Sequence, residues 1–305
     1  MAAAVAAAQA PDVVKIGFAS PLTGSQAHYG KDNQNGAQMA IDELNARGVK
    51  IGAKPVVFEL VVEDDQADPK TGTVVAQKLV DAGIRAMIGH FNSGVTIPAS
   101  RIYAEAGIPQ LSVSTNVMYT RQKFRTTFRM MAADDKQGAA LGRYATQTLK
   151  LTRFAVIDDR TAYGQGLADA FTNTIRAAKA QVVKREFTSD KAVDFRNILT
   201  SIRAAQPEAI FFGGYDAQAG PMARQMKELK LDIPLLGGET MNTAKFIELA
   251  GPAAEGHVAS TPGAALASRP KGREFAERYR ARFQQEIGLY APYFYDATRA
   301  VIEAI

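Results

Sequence analysis

Short apolar runs alternate with longer segments of helical spacing along most of the chain. Residues 13–19 form the first apolar run, which predicts a buried strand. A Gly/Pro/Ser-rich loop follows at 21–30, and residues 31–47 then carry apolar positions at helical spacing, closed by Gly48. The same criteria predict further strands at 56–62, 84–89, 108–113, 154–157, 181–187, 209–212, 234–236 and 257–260. They predict further helices at 68–82, 95–106, 135–150, 163–180, 195–205, 217–230, 243–250 and in the segment 293–305.

Strands that alternate with helices of 10–15 residues predict parallel βαβ units. The alternation restarts near residues 129–135, so we predict an α/β protein with two doubly wound lobes. A single large α/β sheet is the alternative. Open parallel sheets bind ligands beyond the carboxyl ends of their strands, and the helix N-termini there favour an anionic group. The candidate binding loops are therefore the segments that follow strands: 20–30, 91–94, 112–116, 158–166, 213–216 and 237–242.

Composition narrows the possible classes of protein. The chain has 305 residues, of which 47% are hydrophobic and 22% charged, as in an ordinary globular protein. The net charge of +5 is small and dispersed, which argues against a nucleic-acid partner. The apolar runs are all shorter than the roughly 18 residues of a membrane span. The sequence contains no cysteine, which excludes disulfides, thiolate metal sites, cysteine nucleophiles and a lipid-modified cysteine anchor.

The usual catalytic and metal-binding motifs are missing. There is no phosphate-binding P-loop and no G-x-S-x-G elbow, and Gly164-Gln165-Gly166 lacks the third small residue of a dinucleotide fingerprint. The three histidines lie far apart in sequence, and the acidic segment 63–65 lacks the spacing of a calcium loop. We therefore predict no metal and no cofactor, and the candidate loops favour binding over catalysis.

Both ends of the chain carry signals of their own. Ala8-Gln9-Ala10 is typical of a signal-peptidase cleavage site, so we interpret residues 1–11 as the remnant of a secretory signal. An alanine-rich tail with no targeting role is the alternative. The helical spacing of residues 293–305 stops without a Gly or Asn cap, and we expect the native chain to continue.

The candidate loops carry motifs that together resemble one family: the periplasmic branched-chain amino acid binding proteins of ABC transporters. The resemblance extends from Val13 to Ile305. The motifs are IGFASPLTG (16–24) with the following A-x-YG, EDDQADPK (63–70), IGHFNSG (88–94), STN (114–116), IDDRTAYGQGLA (157–168), FFGGYDAQ (211–218) and LLGGE (235–239).

The resemblance implies a type I periplasmic binding protein, in which two Rossmann-like lobes close on a ligand in the cleft between them. The chain would cross between the lobes near 129–134 and 261–264. Residues 12–131 and 264–305 would then form the N-terminal lobe, and residues 132–263 the C-terminal lobe. Family members continue for some tens of residues through a third crossing.

The same resemblance assigns the two charged ends of an amino-acid ligand. Ser93 matches the serine whose hydroxyl and backbone N–H hold the ligand carboxylate, although an N-cap is the commoner role of such a serine. Thr115 matches the threonine that assists the carboxylate and meets the ammonium, and Ser114 matches a carbonyl ligand of the ammonium. Glu239 matches the acidic residue that pairs with the ammonium; a glutamate on a surface turn is the alternative.

Aromatic positions complete the implied site. Tyr163 and Tyr215 match tyrosines of the second lobe that reach the ligand, or else pack beneath their loops. Tyr29, Phe91 and Tyr290 match the wall around the ligand side chain, where core packing is the alternative role. Asn116 is interpreted as a turn residue. Cysteines that form a disulfide in some members are replaced together here, by Ala67 and Asn92.

The resulting hypothesis is a solute-binding protein that delivers leucine, isoleucine or valine to the membrane permease of an ABC transporter. Without an anchor cysteine we expect a freely diffusing monomer in the periplasm of a Gram-negative cell. A sensory or regulatory module of the same fold, binding an amide or another small polar ligand, is the first alternative. An α/β enzyme with an active site in the cleft is the second.

Overall fold

The protein, described here by a computed structural model that covers residues 11–305, contains two separate sheets flanked by helices. The predicted α/β fold with two doubly wound lobes is therefore confirmed, and the single large sheet is excluded. The first lobe is built on a six-stranded sheet and the second lobe on a five-stranded sheet. The predicted signal-peptide remnant lies almost entirely outside the described residues.

The first sheet has the strand order β2-β3-β1-β4-β5-β6. Its pairs are parallel except for β2, which forms an antiparallel hairpin with β3. The strands are β1 (Asp12–Ser20), β2 (Lys50–Ile51), β3 (Lys54–Asp64), β4 (Ala86–Gly89), β5 (Gln110–Ser112) and β6 (Thr127–Arg129).

The second sheet is parallel throughout and has the order β11-β10-β9-β7-β8. Its strands are β7 (Arg153–Asp158), β8 (Gln181–Phe187), β9 (Ala209–Gly213), β10 (Leu235–Gly237) and β11 (Val258–Ala259). Every residue of β9 is buried, as expected for a strand with neighbours and helices on both sides.

Helices connect the strands and cover both sheets. The helices are α1 (Ala27–Ala46), α2 (Pro69–Asp81), α3 (Ser93–Glu105), α4 (Met118–Arg121), α5 (Asp134–Arg143), α6 (Ala162–Ala177), α7 (Arg196–Ala204), α8 (Asp216–Glu228), α9 (Ala244–Ala250), α10 (Gly272–Phe283) and α11 (Ala291–Ala304). A π-helical segment, Tyr144–Thr148, extends α5, and a short 3₁₀ turn, Glu239–Met241, follows β10. As predicted, Asp68 caps α2, accepting a hydrogen bond from the Thr71 N–H.

The start of α1 differs from the prediction, which placed residues 21–30 in a loop. The helix begins at Ala27, so Tyr29 lies on helix and not on loop. Gly30 permits this, because a Cβ atom there would lie 1.9 Å from the Pro21 carbonyl oxygen. The absence of a side chain lets the first turn of α1 pack against the start of the preceding loop, directly after β1.

The last two helices pack against the first lobe. Beside α1, Met39 and Ala40 belong to one buried hydrophobic cluster with Phe275 and Tyr279 of α10 and Ala291 of α11. The chain passes from the first sheet to the second between the end of β6 at Arg129 and the start of α5. The loops at the carboxyl ends of both sheets therefore face one another across a cleft.

Candidate ligand-binding site

One wall of the cleft is built around the start of α3. Asn92 is the N-cap residue, with extended backbone, and Ser93 is the first helical residue, so Ser93 is not the cap itself. The Ser93 hydroxyl oxygen accepts hydrogen bonds from the Asn116 N–H (3.2 Å) and the Ser114 hydroxyl (3.1 Å). The first N–H groups of a helix have no partner within the helix and attract anions. This wall is therefore suited to a carboxylate.

The opposite wall carries Glu239, which follows β10 after two glycines. A Cβ atom on Gly238 would lie 2.1 Å from the Tyr163 hydroxyl oxygen, so the chain can pass this close only as glycine. The Tyr163 hydroxyl donates to Glu239 Oε2 (3.1 Å) and lies equally close to Thr240 Oγ1. The Thr240 hydroxyl donates to the Gly214 carbonyl (2.7 Å). The carboxylate is thus held at the surface of the cleft by its neighbours.

The two walls enclose one small cavity, in which the space open to the centre of a water-sized sphere is only about 10 Å³. That is about the smallest volume that holds one water molecule, so the two walls stand almost in contact in this closed structure. The described residues that line it include no lysine, arginine or histidine. They are Phe91, Ser93, Val113, Thr115, Tyr163, Tyr215, Glu239, Thr240 and Tyr290.

The cavity has buried acidic groups at or near it and no basic side chain in its lining. Burial raises the pKa of the Glu239 carboxyl to about 7, and the side chain is only 2% exposed. Burial likewise raises the pKa of the Asp134 carboxyl well above its usual range, and the nearby charge of Glu239 adds to the effect. Both carboxyl oxygens of Asp134 lack a hydrogen-bond partner. A cation placed in this cavity would relieve the cost of burying these acidic groups.

The rings of Phe91 and Tyr290 form the apolar end of the cavity, and the Tyr29 ring packs behind them. Tyr29 stacks on Phe91 with 5.1 Å between ring centroids, and Tyr290 meets Phe91 edge-on at 4.8 Å. Tyr29 and Tyr290 are 5.7 Å apart. The rings therefore pack on one another and leave a narrow apolar surface for a ligand side chain.

Hydrogen bonds join the two lobes directly around the cavity. The Tyr29 hydroxyl donates to the Thr240 carbonyl (2.7 Å), and the Asn92 amide donates to the Tyr215 hydroxyl (2.9 Å). Further out, the His28 imidazole meets the Asp216 carboxylate at 2.8 Å. The structure therefore shows the cleft closed.

The Asn116 amide makes a further contact between the lobes. It donates to the Ala162 carbonyl (2.6 Å), while its oxygen accepts from the Met118 N–H (2.9 Å). Asn116 thus makes the predicted turn and in addition reaches the other lobe.

Of the nine residues proposed from the sequence, seven line the cavity together: Phe91, Ser93, Thr115, Tyr163, Tyr215, Glu239 and Tyr290. Tyr29 lies directly behind Phe91 and Tyr290. Ser114 does not line the cavity: its carbonyl accepts a hydrogen bond from Arg129 (2.8 Å), and its hydroxyl contacts Ser93. In this arrangement Ser114 supports Ser93, and its carbonyl is engaged by a cation of the protein itself.

Sequence reasoning missed four residues around the cavity. Thr240 and Val113 line it, Asn92 bridges the lobes, and Asp134 brings a second buried carboxyl close to Glu239. Thr240 and Val113 lie within the candidate loops 237–242 and 112–116, and could have been named from that position alone. Nothing in the sequence distinguishes the other two from ordinary polar residues of loops.

Two further observations concern residues 11–305 only. In this range no three histidine, aspartate or glutamate side chains come together in a way that could hold a metal ion. No helix of this range combines the length and the hydrophobicity required to cross a membrane.

Comparison with known proteins agrees with this fold and cleft. Residues 13–305 match the family profile described as "Periplasmic binding protein". The chain belongs to this family.

Among its relatives, a "Leu/Ile/Val-binding protein homolog 1" of Brucella suis is 36% identical over 95% of this chain and 77% of its own length. A "Leucine-, isoleucine-, valine-, threonine-, and alanine-binding protein" of Pseudomonas aeruginosa is 31% identical over 97% of this chain and 79% of its own length. The solved structure of a leucine-binding protein, LivK, from Thermotoga maritima has a TM-score of 0.88 at 26% identity. The match covers 96% of this chain and 82% of the LivK chain.

Proposed function

We propose that this protein captures an aliphatic L-amino acid, with leucine, isoleucine and valine as the first candidates, for uptake through an ABC transporter. The observation that carries the proposal is the buried Glu239 carboxylate, which faces Ser93 and Thr115 across a single cavity that has no basic lining residue. The Brucella and Pseudomonas relatives, whose names specify such amino acids, support the same ligand class.

The polar groups of the cavity are complementary to a zwitterion. The start of α3, with the Ser93 hydroxyl and the adjacent Thr115, offers hydrogen-bond donors to a carboxylate. Glu239 offers a carboxylate to an ammonium group, and the charge-assisted hydrogen bond between them would be strong in a site without water. A simple organic acid would meet only the first of these groups and would leave Glu239 buried without a partner.

The aromatic end of the cavity would contact the ligand side chain. Phe91 and Tyr290 present ring surfaces and no charge, so an aliphatic chain is accommodated while a charged one is disfavoured. Tyr163 and Tyr215 of the second lobe would close over the ligand from the other side. Ser114 supports this arrangement by holding the Ser93 hydroxyl.

Ligand capture would couple to closure of the lobes. We assign residues 12–131 and 264–305 to one lobe and residues 132–263 to the other, joined at the crossings near 129–134 and 261–264. A ligand that contacts both lobes binds the closed state more tightly than the open state, and it therefore shifts the equilibrium towards closure. The closed protein, as a periplasmic monomer, would then deliver the amino acid to the permease.

A calorimetric titration panel tests the ligand class directly. Leucine, isoleucine, valine, threonine and alanine would be compared with 4-methylpentanoate, which is leucine without its amino group, and with benzoate. We expect binding of the amino acids and at least a tenfold weaker response to 4-methylpentanoate, since each 1.4 kcal/mol corresponds to about a factor of ten. Tight binding of either acid without response to the amino acids would refute the proposal.

A pair of variants tests the assignment of Glu239. Glu239→Gln keeps the size of the side chain and removes its charge, and should weaken binding by roughly 1.5–3 kcal/mol, the scale of a charged hydrogen bond. Glu228→Gln is the matched control in the same lobe, because Glu228 is about half exposed and pairs with Arg196 outside the cavity. Unchanged affinity in Glu239→Gln would remove this residue from the site.

A further inference from the structure

Asp32 of α1 is a buried carboxylate that none of the sequence motifs singles out. It is 8% exposed, and it lies behind the aromatic wall of the cavity. Its Oδ1 accepts hydrogen bonds from the Gly288 N–H (2.9 Å) and the Tyr279 hydroxyl (3.1 Å). Its Oδ2 accepts from the N–H groups of Tyr290 and Ala291, both at 2.9 Å. Four donors from one distant stretch of chain thus converge on this side chain.

Three of these donors belong to the segment that begins α11. Tyr290 is the N-cap residue of α11 and makes no side-chain capping hydrogen bond. The first N–H groups of a helix need an acceptor, and a negative charge is favoured there. Asp32 supplies both from another helix, so it caps α11 in place of the missing local acceptor.

Two glycines allow this close approach. A Cβ atom on Gly36, one turn after Asp32, would lie 2.2 Å from the Ala291 carbonyl oxygen. A Cβ atom on Gly288 would lie 2.6 Å from Asp32 Oδ2. The backbone of α1 and the start of α11 are therefore held in contact, with Asp32 as the polar link between them.

The segment held in this way carries part of the ligand wall. The Tyr290 ring is 1% exposed and lines the cavity, yet its hydroxyl oxygen has no hydrogen-bond partner. The position of the ring is therefore set by its packing on Phe91 and Tyr29 and by its own backbone, which Asp32 holds at the Tyr290 N–H.

We propose that Asp32 is a positioning residue for the ligand site: by capping α11 it fixes Tyr290 against the ligand side chain and so sets selectivity for side-chain size. Asp32 itself does not line the cavity. The proposal rests on the proposed function, in which Tyr290 contacts the side chain of an amino acid.

Asp32→Asn is the main test variant, because it retains one acceptor oxygen and the size of the side chain. Glu43→Gln is the matched control. Glu43 lies on the same helix and accepts from the Tyr295 hydroxyl (2.6 Å) and Arg278 Nη1 (2.8 Å), so it links α1 to α11 and α10 away from the cavity. Tyr279→Phe, which removes only one of the four donors, serves as a milder variant.

The first readout is affinity for leucine and for alanine by calorimetry. In Asp32→Asn we expect leucine to bind about tenfold more weakly and alanine to change less than about threefold, the range of one or two lost hydrogen bonds. Tyr279→Phe should shift the leucine-to-alanine ratio in the same direction by about twofold to threefold. Glu43→Gln should lower the melting temperature of the protein and leave the ratio of leucine affinity to alanine affinity unchanged.

The second readout is amide hydrogen exchange of the segment 286–294, which needs no ligand. Exchange at Tyr290 and Ala291 should be faster in Asp32→Asn and Tyr279→Phe than in the wild type and in Glu43→Gln. Equal weakening of leucine and alanine in Asp32→Asn, the same change of ratio in Glu43→Gln, or unaltered exchange at residues 290–291 would overturn the proposal. Failure of the wild-type protein to bind any amino acid would instead refute the proposed function, while the exchange measurement would still decide whether Asp32 holds α11.

Discussion

The buried Glu239 carboxyl predicts that an empty cleft closes more readily as the pH falls. In the closed structure its pKa is raised to about 7, from a usual value of 4.5. In an open cleft the side chain would meet water and regain a value near 4.5. When the ligand-free cleft closes at a pH between these two values, Glu239 therefore takes up a proton.

The magnitude follows from the size of the shift. A difference of 2.5 pKa units, at 1.36 kcal/mol each, corresponds to about 3 kcal/mol. Above pH 7 this whole cost opposes closure of the empty protein; it decreases as the pH falls through 7 and is gone below about 4.5. The ratio of closed to open protein should thus rise about 100-fold between pH 8 and pH 4.5. Asp134, whose pKa is also raised, acts in the same direction.

The absence of cysteine makes a distance measurement simple. Exposed Lys70 and Lys191 lie on opposite lobes, and the charge of Lys191 reaches Asp68, next to α2. Spin labels at Lys70→Cys and Lys191→Cys would report the opening of the cleft at pH 8 and pH 5 without ligand. We expect a shift to the shorter distance at pH 5, reduced in Glu239→Gln and abolished in Glu239→Gln combined with Asp134→Asn. Identical distances at both pH values in the unsubstituted background, or a full shift in the double variant, would refute this reasoning.

Three further outcomes follow from particular contacts. Phe91→Leu should raise the leucine-to-alanine affinity ratio about threefold to tenfold in calorimetry, because a smaller side chain enlarges the aromatic end of the cavity; an unchanged ratio would contradict this. Asn92→Ala removes the hydrogen bond to Tyr215 and should cost about 1 kcal/mol of ligand binding, seen in stopped-flow as faster dissociation; a change confined to the association rate would argue against it. Gly213→Ala should destabilise the protein by roughly 1–3 kcal/mol in denaturant unfolding, because the new Cβ atom would lie 2.2 Å from the Gly164 carbonyl oxygen; an unchanged midpoint would be inconsistent with that packing.

The sequence predicted most of the fold because the buried strands are continuous apolar runs. It missed β6, where Thr127, Phe128 and Arg129 give no apolar run, and the two-residue strand β2. It also missed α10, whose buried face is carried by few residues, chiefly Phe275 and Tyr279, among many charged ones. Such elements are stabilised by their neighbours in the fold, which a local pattern does not record.

Part of the cavity was predictable because several of its residues directly follow predicted strands. Ser93, Thr115 and Glu239 each follow a strand, so the topology of parallel sheets brings them to the same edge. The positions of Asn92 and Asp134 depend on how the two lobes meet, and the engagement of the Ser114 carbonyl depends on Arg129 from β6. Contacts between lobes and between distant strands are set by tertiary packing, which leaves no periodic signal in the sequence.

The contacts that hold the two lobes together around the cavity are uncharged hydrogen bonds. Tyr29 with Thr240, Asn92 with Tyr215 and Asn116 with Ala162 are neutral hydrogen bonds around the cavity. Ionisable pairs lie further out, where His28 meets Asp216 at 2.8 Å and the more exposed Arg121 meets Asp135 at 3.6 Å. Dissolved salt screens exposed charges but has little effect on buried neutral hydrogen bonds. The rate at which a bound ligand leaves the closed cleft should therefore depend only weakly on salt concentration, through the outer ionisable pairs.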